Sequence, residues 1–294
     1  QASPPRARPH HHGELLVKRW LLPVLAAATF AGCSGVRLAY DNADTFIRWR
    51  LLQFLDVHGD QADELDERIA RFMRWHRVQA LPKYARDADD AARRLERGLS
   101  REDMVWGYDV FIAHGKEAMR AAADQTAPLL DRLTPEQIRH MEQRVAEENR
   151  KFARERLRGS ERERREQRAR RVTERLEDWL GNLSKAQIEA VKQFSARAPL
   201  IDELRDRDNK RIQGEILAII RAHEAKNRLG ENVVDWDKGR DPAYIAARAA
   251  NVHEFNTMLL EINRLATREQ RARVIAELRR YAEEFRAIAA RPAL

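Results

Sequence analysis

Apolar residues return every three or four positions along most of this chain, and nowhere does the strict alternation of a half-buried strand persist between turn signals. From Asn42 to Val57 the apolar positions Phe46, Ile47, Trp49, Leu51, Leu52, Phe54 and Leu55 cover most of the circumference, which predicts a buried first helix. His58-Gly59 ends it, and Asp60-Gln61-Ala62-Asp63 opens a second helix that reaches toward Arg97 and bends at Pro82. A third, from Ser100, carries Met104, Trp106, Tyr108, Phe111, Ile112 and Met119 and meets Pro128 near its end. The fourth starts at Thr134 with Ile138, Met141, Val145 and Phe152 on one face. That face fades through an arginine-rich stretch and returns at Val172, Leu176, Trp179 and Leu180. The pattern favours a single helix of roughly 45 residues, about 70 Å at 1.5 Å per residue, over a break at Gly159-Ser160 with Ser160 and Glu163 capping a fresh start. A fifth helix runs from Ser184 past Pro199 to a stop at Leu229-Gly230, and residues 231–240 read as a loop. Asp241-Pro242 starts a sixth that runs through Ile262, and Thr267 a seventh that runs through Ile288. The expected architecture is all-α: an elongated antiparallel bundle of about seven long helices, some bent at proline.

Most of these starts share one chemistry. Leu99-Ser100-x-x-Asp103, Leu133-Thr134-x-x-Gln137, Leu183-Ser184-x-x-Gln187 and Ala266-Thr267-x-x-Gln270 each place a hydroxyl where it can accept from the first turn. Each also puts an amide or carboxylate three residues on, where it can reach back to the cap's own amide. The preceding Leu can staple to the apolar residue five positions later: Leu99 to Met104, Leu133 to Ile138, Leu183 to Ile188. At the fourth start Arg271 holds that position and the staple is missing.

Composition narrows the class. Charged residues make up 35% of the chain, with only 12 Gly and 10 Pro, as long solvated helices require. The charge is local: Lys151 to Arg171 holds ten Lys/Arg and four Glu, while the rest is nearly balanced. Such a stripe has two readings. It is either a solvated helix laced with pairs such as Glu161 with Arg164 and Arg165, or a contact surface for anionic material in which Arg162, Arg164, Arg165 and Arg168 carry the binding. With only Leu157 as a larger apolar residue between Ala153 and Arg171, the stretch is expected to project from the bundle.

The N-terminus reads as an address. Arg6, Arg8, Lys18 and Arg19 precede an apolar run from Trp20 to Phe30 that is shorter than the roughly 20 residues a bilayer-crossing helix needs. It ends on Cys33, the sole cysteine. Ala31-Gly32-Cys33 resembles the lipobox of bacterial lipoproteins, with Phe30 where Leu is usual. The resemblance implies a signal peptide over 1–32 and a mature chain of 262 residues beginning at Cys33. That cysteine would carry a covalent diacylglycerol and an N-acyl chain, and no other cofactor is expected. A plain secretory signal cut after Ala31, or an uncleaved anchor, would use the same run. A lone exported thiol, which can make no internal disulfide, favours acylation. Ser34 rather than Asp after the cysteine implies the periplasmic face of the outer membrane. Residues 33–41 then form a linker and 42–294 the helical domain, with a division into sub-bundles 42–180 and 181–294 left open.

Two further resemblances bear on function. Leu-Thr-x-x-Gln repeated in a basic helical chain resembles the Spy-type periplasmic chaperones. Leu133, Thr134 and Gln137 match in full, and Leu183, Ser184 and Gln187 match with Ser for Thr. From Cys33 through Tyr40-Asp41-Asn42-Ala43-Asp44 and the Trp49-Arg50 helix, the chain resembles a proteobacterial outer-membrane lipoprotein family of unknown function. Neither implies an enzyme, and no nucleophile elbow, phosphate loop or paired-carboxylate signature is present. His58, His76, His114, His140, His223 and His253 include no pair at i,i+3 or i,i+4, so no metal site is expected. The expected function is non-enzymatic: a lipid-anchored envelope protein that binds periplasmic protein clients in a chaperone-like or adaptor role. The alternative is a structural lipoprotein that contacts lipopolysaccharide or peptidoglycan through the arginine stretch. An exported chain excludes nucleic acid as a partner.

Overall fold

The computed structural model describes residues 35–291, so Cys33 and the apolar run before it lie outside the described residues. Every regular element among the described residues is helical, and the chain divides into a unit ending at Asn42 and a unit beginning at Ala43. In the first unit, Gly35–Asp41 forms a short helix, α1, where a linker was expected. Asn42 donates from its side-chain amide to the Leu38 carbonyl and closes the turn (2.7 Å).

The second unit opens with α2 (Ala43–Leu55) and α3 (Asp60–Trp75). The expected bend at Pro82 takes the form of a π-helical turn over His76–Ala80, after which α4 (Leu81–Arg97) starts with Pro82 in its first turn. The wider π-turn removes the need for the amide proton that proline lacks. Then follow α5 (Arg101–Leu130), α6 (Pro135–Arg156), α7 (Glu161–Leu180), α8 (Lys185–Arg197), α9 (Asp202–Arg221), α10 (Ala225–Val234), α11 (Pro242–Leu265) and α12 (Arg268–Ala289).

Three expectations need correction. The long fourth helix is broken: α6 ends at Arg156, Gly159 adopts φ +91°, and Ser160 with Glu163 forms a reciprocal cap that starts α7. The local capping signal outweighed the continuity of charge. The fifth helix is three helices, interrupted at Ala198-Pro199 and again at His223, whose φ of +54° no helix tolerates. The second restart, α10, draws its cap from far along the chain, where the Asp131 carboxylate accepts from the amides of Ala225 (2.5 Å) and Lys226 (3.1 Å). Gly230 is not a stop but lies inside α10. A Cβ there would come within 2.9 Å of Asp124 Oδ1 and 2.8 Å of Arg120 Nε, so glycine lets α10 lie close against α5. The third correction is α2, which is not buried all round: Leu55 alone is fully covered, while Phe46 and Trp49 are exposed.

Two apolar cores hold the second unit, and they interleave along the chain. One gathers Leu55, Leu65, Ile69, Leu129, Leu130, Leu133, Ile138 and Met141 with Ile219, Ile220, Leu229 and Val233, so residues on both sides of position 180 share it. The other packs Val191, Phe194, Ala198, Met258 and Ile262 against Val172, Leu176 and Leu180. The most extensive helix pairing joins α4 and α12, where Ala85, Ala92 and Ala282 are buried and let the helices approach. Arg279 with Glu96 and Arg286 with Asp89 form ion pairs along that seam.

Candidate functional site

The helix-start residues singled out by sequence form real caps, and the glutamines do more than cap. Gln137 accepts from the Thr134 amide (2.9 Å) while its own side-chain amide donates to Gln61 Oε1 (2.7 Å) and to the Asp56 carbonyl (3.0 Å). Gln187 accepts from the Ser184 amide (2.9 Å) and donates to Gln270 Oε1 (2.9 Å). Gln270 donates back (3.3 Å) and also to the Asn182 carbonyl (3.0 Å). Two helix starts distant in sequence are thus tied side chain to side chain, with Gln187 fully buried. Leu133 and Ile138 are buried behind the first cap. These bonds occupy the polar atoms of both motifs, so the motif residues build the bundle.

The arginines are placed otherwise than expected. Arg162 alone of the four is exposed. Arg164 pairs with Glu203 (3.0 Å) and Arg165 with Glu161 (2.8 Å). Arg165 also donates to the carbonyls of Ser195 (2.7 Å) and Ala198 (2.8 Å). Arg168 donates to Ser195 Oγ (3.2 Å) and to the carbonyls of Ser195 (2.7 Å), Ala198 (2.8 Å) and Pro199 (2.9 Å), with its guanidinium 5.3 Å from the centre of the Phe194 ring. The last turn of α8 leaves these carbonyls without helical partners because Pro199 ends it, and the two cations supply donors where the helix dipole is negative. Burial, with Arg165 and Arg171 nearby, lowers the Arg168 pKa to about 10, so it remains charged at neutral pH. The expectation that this stretch projects from the bundle therefore fails for Arg164, Arg165 and Arg168, because Glu203 pairs the first and backbone carbonyls, with Glu161 at Arg165, satisfy the other two.

An apolar concavity lies elsewhere. Segments of α4, α5, α7, α11 and α12 enclose a cleft of about 290 Å³. Leu95, Leu99, Met104, Trp106, Leu176, Trp179, Leu180, Leu259, Ile262, Val274 and Leu278 make its wall almost wholly apolar. Its polar side chains are Arg94, Asp103, Asn263 and Arg271. Asp103 is buried and fully engaged: it accepts from the Ser100 amide (3.0 Å), Arg97 (2.7 Å) and Arg94. The Ser100 amide, followed by Arg94, holds its carboxyl below the usual carboxylate range. Arg94 stacks over Trp106, 4.1 Å from the ring centre. Arg271 donates from Nη2 to the Asn263 carbonyl (2.9 Å), and its buried Nε–H has no partner. Sequence reasoning did not assemble this cleft, because its walls come from five helices spread over nearly 190 residues. One signal pointed to it: Arg271 occupies the position where the other helix starts carry a stapling hydrophobe.

An aromatic chain runs from the π-turn toward this cleft. His76 contacts Tyr84 (ring centres 5.5 Å apart), Tyr84 contacts His114 (4.7 Å) and Phe285 (6.1 Å), Phe285 contacts Tyr281 (6.0 Å), and Tyr281 contacts Trp179 (5.8 Å). Burial pushes the His76 pKa below its ordinary value. Among the described residues no group of three His, Cys, Asp or Glu side chains converges as a metal set, and no helix is long and apolar enough to cross a membrane.

Residues 53–237 match the sequence profile of a family of unknown function, DUF6279. The chain belongs to that family. The DUF6279 match takes in α3 to α10, with the cleft walls from α4, α5 and α7, and stops before α11 and α12, which carry Ile262 and Arg271. No curated protein and no solved structure matches the chain.

Proposed function

We propose that this DUF6279 chain is a non-enzymatic, lipid-anchored envelope protein, held at Cys33 on the periplasmic face of the outer membrane, whose helical surface binds protein partners in a chaperone-like or adaptor role. The observation that carries the binding role is large apolar side chains standing out on a charge-dense surface. Phe111 is 73% exposed, Phe46 63% and Trp49 52%, with Phe46 and Trp49 in ring contact at 5.8 Å on one face of α2. Ion pairs hold that helix in place beneath them: Arg48 to Asp66 (2.6 Å) and Arg50 to Glu148 (3.1 Å). A pre-positioned aromatic pair offers contact area at little entropic cost, which is how aromatic residues come to dominate protein interfaces.

The engagement of Arg164, Arg165 and Arg168 within the bundle favours this role over contact with lipopolysaccharide or peptidoglycan, for which Arg162 remains. The Leu-Thr-x-x-Gln likeness to Spy-type chaperones adds little, since the motif's polar atoms are occupied in joining helix starts. A photo-crosslinker at position 46 or 111 in intact cells tests the binding role. Discrete protein adducts that vanish in Trp49→Ser are expected, and adducts to lipid or glycan alone would refute it. Palmitate labelling tests the anchor: the native chain should take up label and Cys33→Ala should not.

A further inference from the structure

We infer that the cleft between α4, α5, α7, α11 and α12 is a binding site for one free medium-chain fatty acid, its hydrocarbon tail along the apolar wall and its carboxylate on Arg271. This goes beyond the protein-binding role and does not depend on it.

Three observations select the ligand. The wall is apolar apart from four side chains, so an occupant must bring almost no polar groups of its own. A peptide segment brings an amide and a carbonyl with every residue, and most would go unpaired here. The volume, about 290 Å³, is roughly twice the ~150 Å³ that accommodates one benzene, enough for a single flexible chain and too little for a two-chain lipid. The charge at the wall selects the head group. Asp103 is already spent on Ser100, Arg94 and Arg97, whereas Arg271 lines the cleft with its guanidinium bonded to a neutral carbonyl, that of Asn263, and to no carboxylate. A guanidinium has five N–H donors, so beyond that one bond it keeps donors for a carboxylate. Arg271 also stands where a stapling hydrophobe would close the gap, so one residue both leaves the cleft unfilled and supplies its cation.

Gly107 offers a clean block. It lines the cleft within α5, and a Cβ built on it meets nothing within 4 Å, so the side chain of Gly107→Leu starts in open space and takes up cleft volume. The experiment titrates the full chain with dodecanoate below its micellar concentration, by calorimetry and by the ¹³C shift of a labelled carboxylate, with 1-dodecanol and an apolar decapeptide in parallel. The expected result is one saturable site for dodecanoate, lost in Gly107→Leu and weakened about tenfold in Arg271→Gln, with 1-dodecanol little affected by the latter change. Thermal melts establish that both variants fold. If Arg271→Gln does not, Arg271→Lys should retain part of the affinity and lose the carboxylate shift. Dodecanoate binding that survives Gly107→Leu, equal preference for 1-dodecanol, no saturable site, or binding of the decapeptide in place of dodecanoate would each overturn the assignment.

Discussion

The two halves of α7 invert the usual relation between polarity and place. Its charged half turns Arg164, Arg165 and Arg168 inward, and two of these close the open end of α8. Its apolar half presents Leu176, Trp179 and Leu180 to a cleft that no side chain fills. Charge went inside because the carbonyls of Ser195 and Ala198 at the end of α8 take their donors from Arg165 and Arg168. Apolar surface stayed only half covered where the facing helix start bears Arg271 in place of a hydrophobe. What decides burial is whether the partner's valence is met, more than the hydropathy of the residue itself.

The largest test of that comparison is Arg168→Met. It deletes four hydrogen bonds, leaving the carbonyls of Ser195 and Ala198 to Arg165 and that of Pro199 to Asn251. A loss of about 3 kcal/mol is expected, a fall in Tm of roughly 6–12 °C for a domain of this size. Arg162→Gln, at an exposed position of the same helix, should change stability by less than about 0.5 kcal/mol. Equal melting temperatures for the two variants would erase the distinction between structural and surface arginines.

Next in size is the amide pair between helix starts. Gln187→Ala leaves the Ser184 amide and the Gln270 side chain without their buried partner, at a cost of about 2 kcal/mol. A double-mutant cycle with Gln270→Ala should return a coupling of about 1 kcal/mol, whereas additive losses would mean that the caps act separately.

These two tests also mark how far the sequence could be read. Helix starts at Ser100, Thr134, Ser184 and Thr267 were legible because a cap is specified by residues three apart, and the all-α class followed from periodicity. Breaks at Ala198-Pro199 and His223 were not, because the groups that stabilise them, Arg165 and Arg168 in one case and Asp131 in the other, lie between about 27 and 95 residues away. The Gln187–Gln270 pair spans 83 positions and is invisible to any local pattern. The cleft was hidden for the same reason, although the missing staple at Arg271 is a local feature of the sequence.

A smaller effect of opposite sign comes from Gly107. Glycine within a helix costs up to about 1 kcal/mol relative to alanine, and here the added methyl would enter open space. Gly107→Ala should therefore raise stability by a few tenths to about 1 kcal/mol in a denaturant titration. A loss instead would mean that the cleft closes in solution.

The smallest expected effect compares two half-buried bases. Arg168 keeps its charge because carbonyls face it, while His76, among Phe72, Trp75 and Tyr84, has its pKa lowered by burial. The unfolded chain takes up a proton on His76 near pH 6.5, and the folded chain does so only at lower pH. Below that value the unfolded state binds more protons, so the stability this residue contributes is complete above about pH 6.5 and is lost as pH falls toward the folded-state value. In His76→Gln that loss is absent. The difference in Tm between the native chain and the variant should therefore shrink, or turn in favour of the variant, between pH 7.5 and pH 5.5. Carboxylates such as Asp103, whose protonation also destabilises at low pH, are common to both chains and cancel in the difference. A constant difference across that range would place His76 in contact with water and detach it from the aromatic chain that leads to Trp179.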